Sequence, residues 1–348
     1  MKPFLYDAWY CASFSNDLKS GELKPITIMN QPIALYRRPD GTPAALTDRC
    51  PHRFAPLTMG RLSEDGQVQC GYHGLVFDDQ GKCTKNPHGD CSIPKAAHVR
   101  AYPALEKFGG VWVWMGDAAK ADPALLPDFS EVDEREGWSR VQGYLHVRSN
   151  YQLMNDNLLD LSHVTYLHPF LASVEPPPPE FRADVRMAQN DEAVISIAEF
   201  ESIPITPLYQ MLWERGEPPR FVNMRANMRW HPPSNLLLDT GAYPIGGQRS
   251  DGPSAPSTHW LTPESETTTH YFWSATRDRY VGNAEVSAQV ATGIDVAFRT
   301  EDEPMIEACQ RRMGTIDLMS LKPVLLQTDG PPVRARRILE IKLEKEGA

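Results

Sequence analysis

The first third of the chain alternates between apolar and polar positions as strands do. "PIALYRRPDGTPAALTD", 32–48, reads as two strands around an Asp40–Gly41 turn. "LVFDDQGKCT", 75–84, repeats the pattern around Gln80–Gly81. In "GGVWVWMGD", 109–117, Val111, Val113 and Met115 alternate with Trp112 and Trp114, which suits another strand. "GDAAKADPALLPDF", 116–129, loses the alternation, and the domain boundary is placed there. The expected organisation is an all-β domain over 1–120 and a second domain over 121–348.

The second domain mixes periods. "NYQLMNDNLLDLSHVTYLH", 150–168, is long, periodic and stopped by Pro169, so it should be helical. Prolines 176–179 predict a loop. "AVISIAEFE", "NLLLDTGAY", "STHWLTPES" and "THYFWSATR" predict strands of one antiparallel sheet, and "EDEPMIEACQRRM" returns to helix with Pro304 in its first turn. Strands bracketed by helices predict an α+β catalytic domain, an antiparallel sheet flanked by helices, rather than a βαβ series.

Composition narrows the class. With 348 residues, 41% hydrophobic and 23% charged, the chain suits two globular domains. No apolar run is long enough to span a bilayer, and "MKPFLYDAWYCASFSNDL" lacks the apolar core of a secretory signal. A cytoplasmic protein without a membrane partner is expected. A net charge of −10 argues against a nucleic-acid partner. Six cysteines in a cytoplasmic chain do not suggest a disulfide framework. Cys11, Cys83, Cys91 and Cys309 lack ligand spacing and read as ordinary small side chains.

The other two cysteines differ. Cys50-x-His52 in "CPHRFAPL" is followed, after a gap of 17 residues, by Cys70-x2-His73 in "CGYHG". A zinc site more usually pairs cysteines in one loop and histidines in another. Here each loop offers one thiolate and one imidazole, which suits a Rieske [2Fe–2S] cluster with two cysteines on one iron and two histidines on the other. Zinc and no metal at all are the competing readings. Gly71 and Gly74 allow a tight second loop, while Pro51 and Pro56 stiffen the first.

A cluster alone would make an electron carrier, and two-thirds of the chain would have no task. "NDNLLDLSHVTYLH", 155–168, offers Asn157, Asp160, His163 and His168. Histidines five apart sit about 140° around a regular helix, so a shared metal needs a bend near Thr165 or a frayed end before Pro169. A facial triad of two histidines and a carboxylate holds Fe(II) and leaves positions open for dioxygen. Asp302, at the start of the last predicted helix, is the candidate carboxylate. Glu301 and Glu303 compete with it, and a favourable helix-dipole role explains it equally.

Taken together, "CPHRFAPL", "CGYHG" and "DNLLDLSHVTYLH" resemble the oxygenase components of Rieske non-haem iron monooxygenases, the vanillate and dicamba O-demethylase family in particular. The resemblance extends through "WHPPSNLLLDTG", "LTPESETTTHYFW" and "EDEPMIEACQRR". It implies an N-terminal all-β Rieske domain holding the cluster through Cys50, His52, Cys70 and His73. It implies a mononuclear iron on His163, His168 and Asp302, with Asn157 close by. It further implies that Asp160 bridges the two metal centres across the subunit boundary of a homotrimer, accepting from a cluster histidine such as His73 and an iron histidine such as His163. The implied reaction is O-demethylation of a methoxylated aromatic acid, giving a phenol and formaldehyde, with O2 as co-substrate. A separate flavin and iron–sulfur reductase would pass on electrons from NADH or NADPH, for this chain has no GxGxxG fingerprint. His259 matches a substrate-contacting position, although a strand histidine paired to a loop is an equal reading. Aromatic-methyl hydroxylation, N-demethylation and ring dihydroxylation are the alternative reactions, and a Rieske electron carrier is the alternative class.

Overall fold

A computed structural model describes residues 3–173, 175–190 and 193–347. The chain divides into two compact units. One comprises Phe4–Leu126 with Thr262–Ser265, and the other Pro3 and Pro127–Leu261 with the described chain from Glu266.

The first unit is built of eleven short strands, β1 (Trp9–Phe14), β2 (Lys24–Ile28), β3 (Gln31–Arg37), β4 (Pro43–Thr47), β5 (Arg61–Leu62), β6 (Val68–Gln69), β7 (Val76–Phe77), β8 (Cys83–Lys85), β9 (Ala101–Tyr102), β10 (Ala104–Lys107) and β11 (Gly110–Trp114). They form three sheets, in the orders β1-β11-β10, β2-β3-β4-β9 and β5-β6-β7-β8. The β3–β4 hairpin turns at Asp40–Gly41, with Gly41 at φ 85° and Arg37 paired to Pro43. Between the second and third sheets lies an apolar cluster including Leu46, Leu57, Val68 and Phe77, and both Cys50 and Cys70 belong to it.

The second unit carries a seven-stranded antiparallel sheet: β12 (Ser139–Val147), β13 (Arg182–Gln189), β14 (Val194–Pro204), β15 (Phe221–His231), β16 (Asn235–Pro244), β17 (Ser257–Ser265) and β18 (Thr268–Arg277). Its order is β12-β18-β17-β16-β15-β14-β13. Helices are α1 (Tyr151–Leu159), α2 (Val164–Leu167), α3 (Pro207–Met211), α4 (Ala284–Val296), α5 (Glu303–Met313) and α6 (Gly330–Gly347). The α+β class with an antiparallel sheet and flanking helices is as the sequence predicts.

Two local features depart from the sequence reading. The predicted long helix over 150–168 ends at Leu159. Asp160 leaves helical geometry at φ −114°, ψ 91°, and a short turn, Leu161–His163, leads into α2. The second departure is at Asp302, which does not begin a helix. A π-helical stretch, Ala297–Asp302, joins α4 to α5 without a break. Pro304 lacks an N–H and its ring crowds the preceding turn, so a wider turn there accommodates it.

α1 is fastened to α6 by an ion pair. Arg336 donates from Nε and Nη2 to the Asp156 carboxylate at 2.9 and 2.6 Å, and Nη1 reaches Gln152 Oε1 at 3.2 Å. Burial raises the Asp156 pKa, and Arg336 opposes that rise. The pair fixes the helix that presents Asn157.

Candidate metal centres

The two Cys/His loops close in the same way. Cys50 N–H donates to Ala55 O at 2.8 Å and Phe54 N–H to Cys50 O at 2.9 Å. In the second loop Cys70 N–H donates to Leu75 O at 2.8 Å and Gly74 N–H to Cys70 O at 3.1 Å. The fifth position of each loop is left-handed, Phe54 at φ 58° and Gly74 at φ 72°. Glycine meets that requirement without strain, whereas the largely exposed Phe54 is held there by its backbone hydrogen bond to Cys50 O. A Cβ on Gly71 would lie 2.6 Å from Met59 O, so the second loop also needs a bare backbone where it passes the chain after the first. Asp48 anchors the first loop, accepting from Thr58 N–H at 2.7 Å and Thr58 Oγ1 at 2.6 Å. His88, which sequence reasoning passed over, hydrogen-bonds to His73 O through Nε2 at 2.8 Å.

The two loops bury both thiols and bring their two imidazoles together. Cys50 and Cys70 are each 2% exposed, and the rings of His52 and His73 are 4.4 Å apart. Burial, opposed by the His52 backbone N–H and reinforced by Cys70, pushes the Cys50 thiol up to about 11. A metal bound there would displace its proton. Two sulfurs inward and two imidazoles outward fit a mixed-ligand two-iron cluster.

The second centre lies in the other unit. His163 and His168 flank the four-residue α2, with rings 5.2 Å apart at 81°. The chain leaves the helix at His168 (φ −117°, ψ 84°), just before Pro169, and so brings together two residues that a continuous helix would separate. Nε2 of His163 lies 3.5 Å from Asp302 Oδ1, and Nε2 of His168 lies 3.2 Å from Asp302 Oδ2. One ligand atom from each of the three falls within 4.8 Å of the others. Asn157 Nδ2 donates to Asp302 Oδ1 at 3.1 Å and lies 3.4 Å from His163 Nε2.

The outer nitrogens show that this set fits a cation. His163 Nδ1 meets the Asp160 backbone carbonyl at 2.7 Å, and His168 Nδ1 meets Glu301 Oε2 at 2.7 Å. Both acceptors require a proton on Nδ1, which leaves an Nε2 lone pair facing Asp302 in each neutral ring. Burial alone would lower the His168 pKa, but Asp302 and Glu301 outweigh it and the net shift is upward.

Of the competing carboxylates, Glu301 and Asp302 take opposite nitrogens of the His168 ring, since adjacent positions on one widened turn can bracket an imidazole. Two expectations need correction here. The Asp160 carboxylate does not accept from His163. Its Oδ1 caps the following turn by accepting from Ser162 N–H at 3.0 Å, and the backbone carbonyl takes the imidazole instead. His259 pairs with strand residues rather than a loop, through Nε2 to Ser257 Oγ at 3.0 Å and Nδ1 to Tyr271 Oη at 2.6 Å. Burial drives its pKa down to about 3, against the attraction of Asp302, so the ring is neutral. Beside Asp302 is a narrow, mostly apolar cavity of about 10 Å³ whose lining includes Met154, Leu158, Tyr271 and Phe298 as well as Asn157. Tyr271 was not singled out by its sequence context, a buried strand that any aromatic would suit.

Comparison with known proteins matches both parts of the chain to described domains. Residues 8–103 match the Rieske [2Fe-2S] domain, and residues 147–345 match the vanillate O-demethylase oxygenase C-terminal domain. The chain is 35% identical to the oxygenase component of dicamba O-demethylase from Stenotrophomonas maltophilia, covering 98% of each. It is also 35% identical to the oxygenase component of chloroacetanilide N-alkylformylase from Rhizorhabdus wittichii, covering 99% of this chain and 97% of that one. The crystal structure of dicamba monooxygenase with non-haem iron and dicamba superposes with a TM-score of 0.85 at 33% identity over 99% of both chains. Among the described residues no helix is long and apolar enough to cross a membrane. The chain is therefore an oxidoreductase belonging to the Rieske oxygenase family that contains the vanillate and dicamba O-demethylase oxygenase components.

Proposed function

We propose that this chain is the terminal oxygenase of a multicomponent monooxygenase that O-demethylates a methoxylated aromatic acid. The observation that carries the reading is the convergence of His163, His168 and Asp302 beside the apolar cavity. Cys50, His52, Cys70 and His73 would hold the cluster, and His163, His168 and Asp302 the iron. Bound there, the cluster supplies electrons one at a time and the iron supplies oxygen activation. Overall, a methyl C–H becomes C–OH, and the hemiacetal collapses to a phenol and formaldehyde. The second oxygen atom leaves as water, which consumes a pair of electrons and a pair of protons.

The remaining work belongs to side chains. Glu301 and the Asp160 carbonyl hold the two imidazoles in their ligating tautomers. Asn157 restrains the Asp302 carboxylate. Met154, Leu158 and Phe298 supply an apolar wall that excludes water from the reacting methyl. His259 stands one hydrogen bond behind Tyr271, a residue of the cavity lining. Asp160, with one carboxylate oxygen engaged by Ser162, bridges to the cluster histidine of a neighbouring subunit in a homotrimer. The reductase is a separate flavin and iron–sulfur protein fed by NADH or NADPH, and the system is cytoplasmic.

N-Dealkylation is the second reading, favoured by the similarity to the N-alkylformylase component. A screen of methoxylated, methylated and N-alkylated aromatic substrates with a surrogate reductase distinguishes them. Formaldehyde and a phenol from methoxylated acids are expected; turnover confined to N-alkyl substrates would select the second reading.

A further inference from the structure

α4 carries a glycine in its interior, Gly293, although glycine weakens a helix relative to alanine. Its backbone is helical, so glycine provides room there rather than conformational freedom. A Cβ on Gly293 would lie 2.7 Å from Cδ1 and 2.9 Å from Cζ of Phe170, and closer still to Cε1. The phenyl ring therefore rests on bare helix, on the side of α4 where Val290, Ile294 and Ala297 are buried. Phe170 stands two residues after His168, in a turn closed by Leu171 N–H and Ala172 N–H, which donate to His168 O at 3.1 and 2.9 Å. Its own carbonyl accepts from Leu208 N–H at 3.3 Å. In the other direction α4 runs through the π-helical stretch to Glu301 and Asp302, which meet the two nitrogens of His168.

We propose that Gly293 and Phe170 are positioning residues for the mononuclear iron. The inference rests on the reading of His163, His168 and Asp302 as its ligands. The ring seated on Gly293 ties the turn that begins at His168 to the helix that carries the two carboxylates, roughly 12 Å along the axis from them. The His168 segment is thus attached to the carboxylate-bearing helix at two separated points, which fixes the direction from which Nε2 faces Asp302. A methyl at 293 must displace the ring, and the ring carries the turn with it. Ligand sets hold their metal tightly only when each member stays within about 0.5 Å of its place. A competing role lies in the backbone: Ala297 N–H is shared between the carbonyls of Gly293 and Ile294, where the helix widens. The two roles separate in a double-mutant cycle, because only the first needs Phe170.

The test is equilibrium titration of ferrous iron into cluster-intact protein whose mononuclear site has been emptied, for wild type, Gly293→Ala, Phe170→Ala and the double variant. Cluster absorbance and circular dichroism check folding. Gly293→Ala and Phe170→Ala should each weaken iron binding about tenfold. The double variant should match Phe170→Ala within about twofold, since without the ring the methyl displaces nothing, and its denaturation midpoint should be no lower because alanine favours helix. Iron binding within about twofold of wild type in either single variant, or losses that multiply in the double one, would overturn the proposal. Should Gly293→Ala alone fail to fold, Phe170→Ala against the double variant still decides: equal affinities support the seat, and a further tenfold loss overturns it. A wild type that takes up no iron beyond the cluster would remove the metal-site reading and this inference with it, whereas normal uptake by wild type and Gly293→Ala alike removes this inference only.

Discussion

At the scale of residues, two adjacent carboxylates hold one imidazole, and they should separate by mutation. Asp302→Ala removes a proposed ligand and should empty the mononuclear site while leaving the cluster's absorbance intact. Glu301→Ala removes only the acceptor behind His168 Nδ1, so iron should bind about 10- to 100-fold more weakly rather than vanish. Equilibrium iron titration of the two variants checks the order, and an empty site in Glu301→Ala beside a filled one in Asp302→Ala would reverse the assignment. His259 makes a different prediction. Its folded pKa of about 3 lies below the ordinary 6.5. Between those values the unfolded chain binds a proton that the folded chain refuses. Its stabilising contribution is therefore complete above the ordinary value and is lost as pH falls toward about 3. From about pH 6.5 to about pH 5 the loss is about 2 kcal/mol. His259→Gln should flatten the fall in melting temperature over that range, and parallel curves for the two proteins would contradict a neutral buried ring.

At the scale of elements, the legible parts were those with a clean period or a specific spacing. The Asp40–Gly41 hairpin, strand β11 and the two Cys/His loops could all be read directly, because alternation and short ligand spacings survive in sequence. β15 was passed over although it alternates cleanly, Val222, Met224, Ala226, Met228 and Trp230 on one face against Asn223, Arg225, Asn227 and Arg229 on the other. β13 was missed because its exposed edge has no buried face to generate a pattern. The break at Asp160 and the π-helical turn before Glu303 are backbone adjustments made by tertiary contacts, and a regular period cannot announce them. The Arg336–Asp156 pair spans 180 residues and has no local signal. Asp156→Ala should cost about 3 kcal/mol by leaving Arg336 largely buried without a counter-charge, and Asp156→Leu with Arg336→Met should recover much of it. Chemical denaturation measures both, and equal losses would show that charge compensation is not what fastens α1.

At the scale of the whole molecule, the proposed trimer lets one subunit's cluster serve its neighbour's iron. Cys70→Ser chains should lack the cluster and Asp302→Ala chains the mononuclear iron. Neither should turn over alone, but co-expressed chains should recover a measurable fraction of wild-type rate. Asp160→Asn should keep its metal and its turn, since an amide oxygen can still accept from Ser162 N–H, and yet lose transfer between centres. Recovery in the mixed assembly together with normal single turnover in Asp160→Asn would retain the trimer and discard the bridge. The central claim is that a second, independent metal centre stands on His163, His168 and Asp302 in a chain that also carries a Rieske cluster. Quantitative iron analysis of cluster-intact, fully loaded protein tests it most directly. About three irons per chain are predicted for wild type and about two for Asp302→Ala, whereas about two in wild type, unchanged by the substitution, would contradict the account.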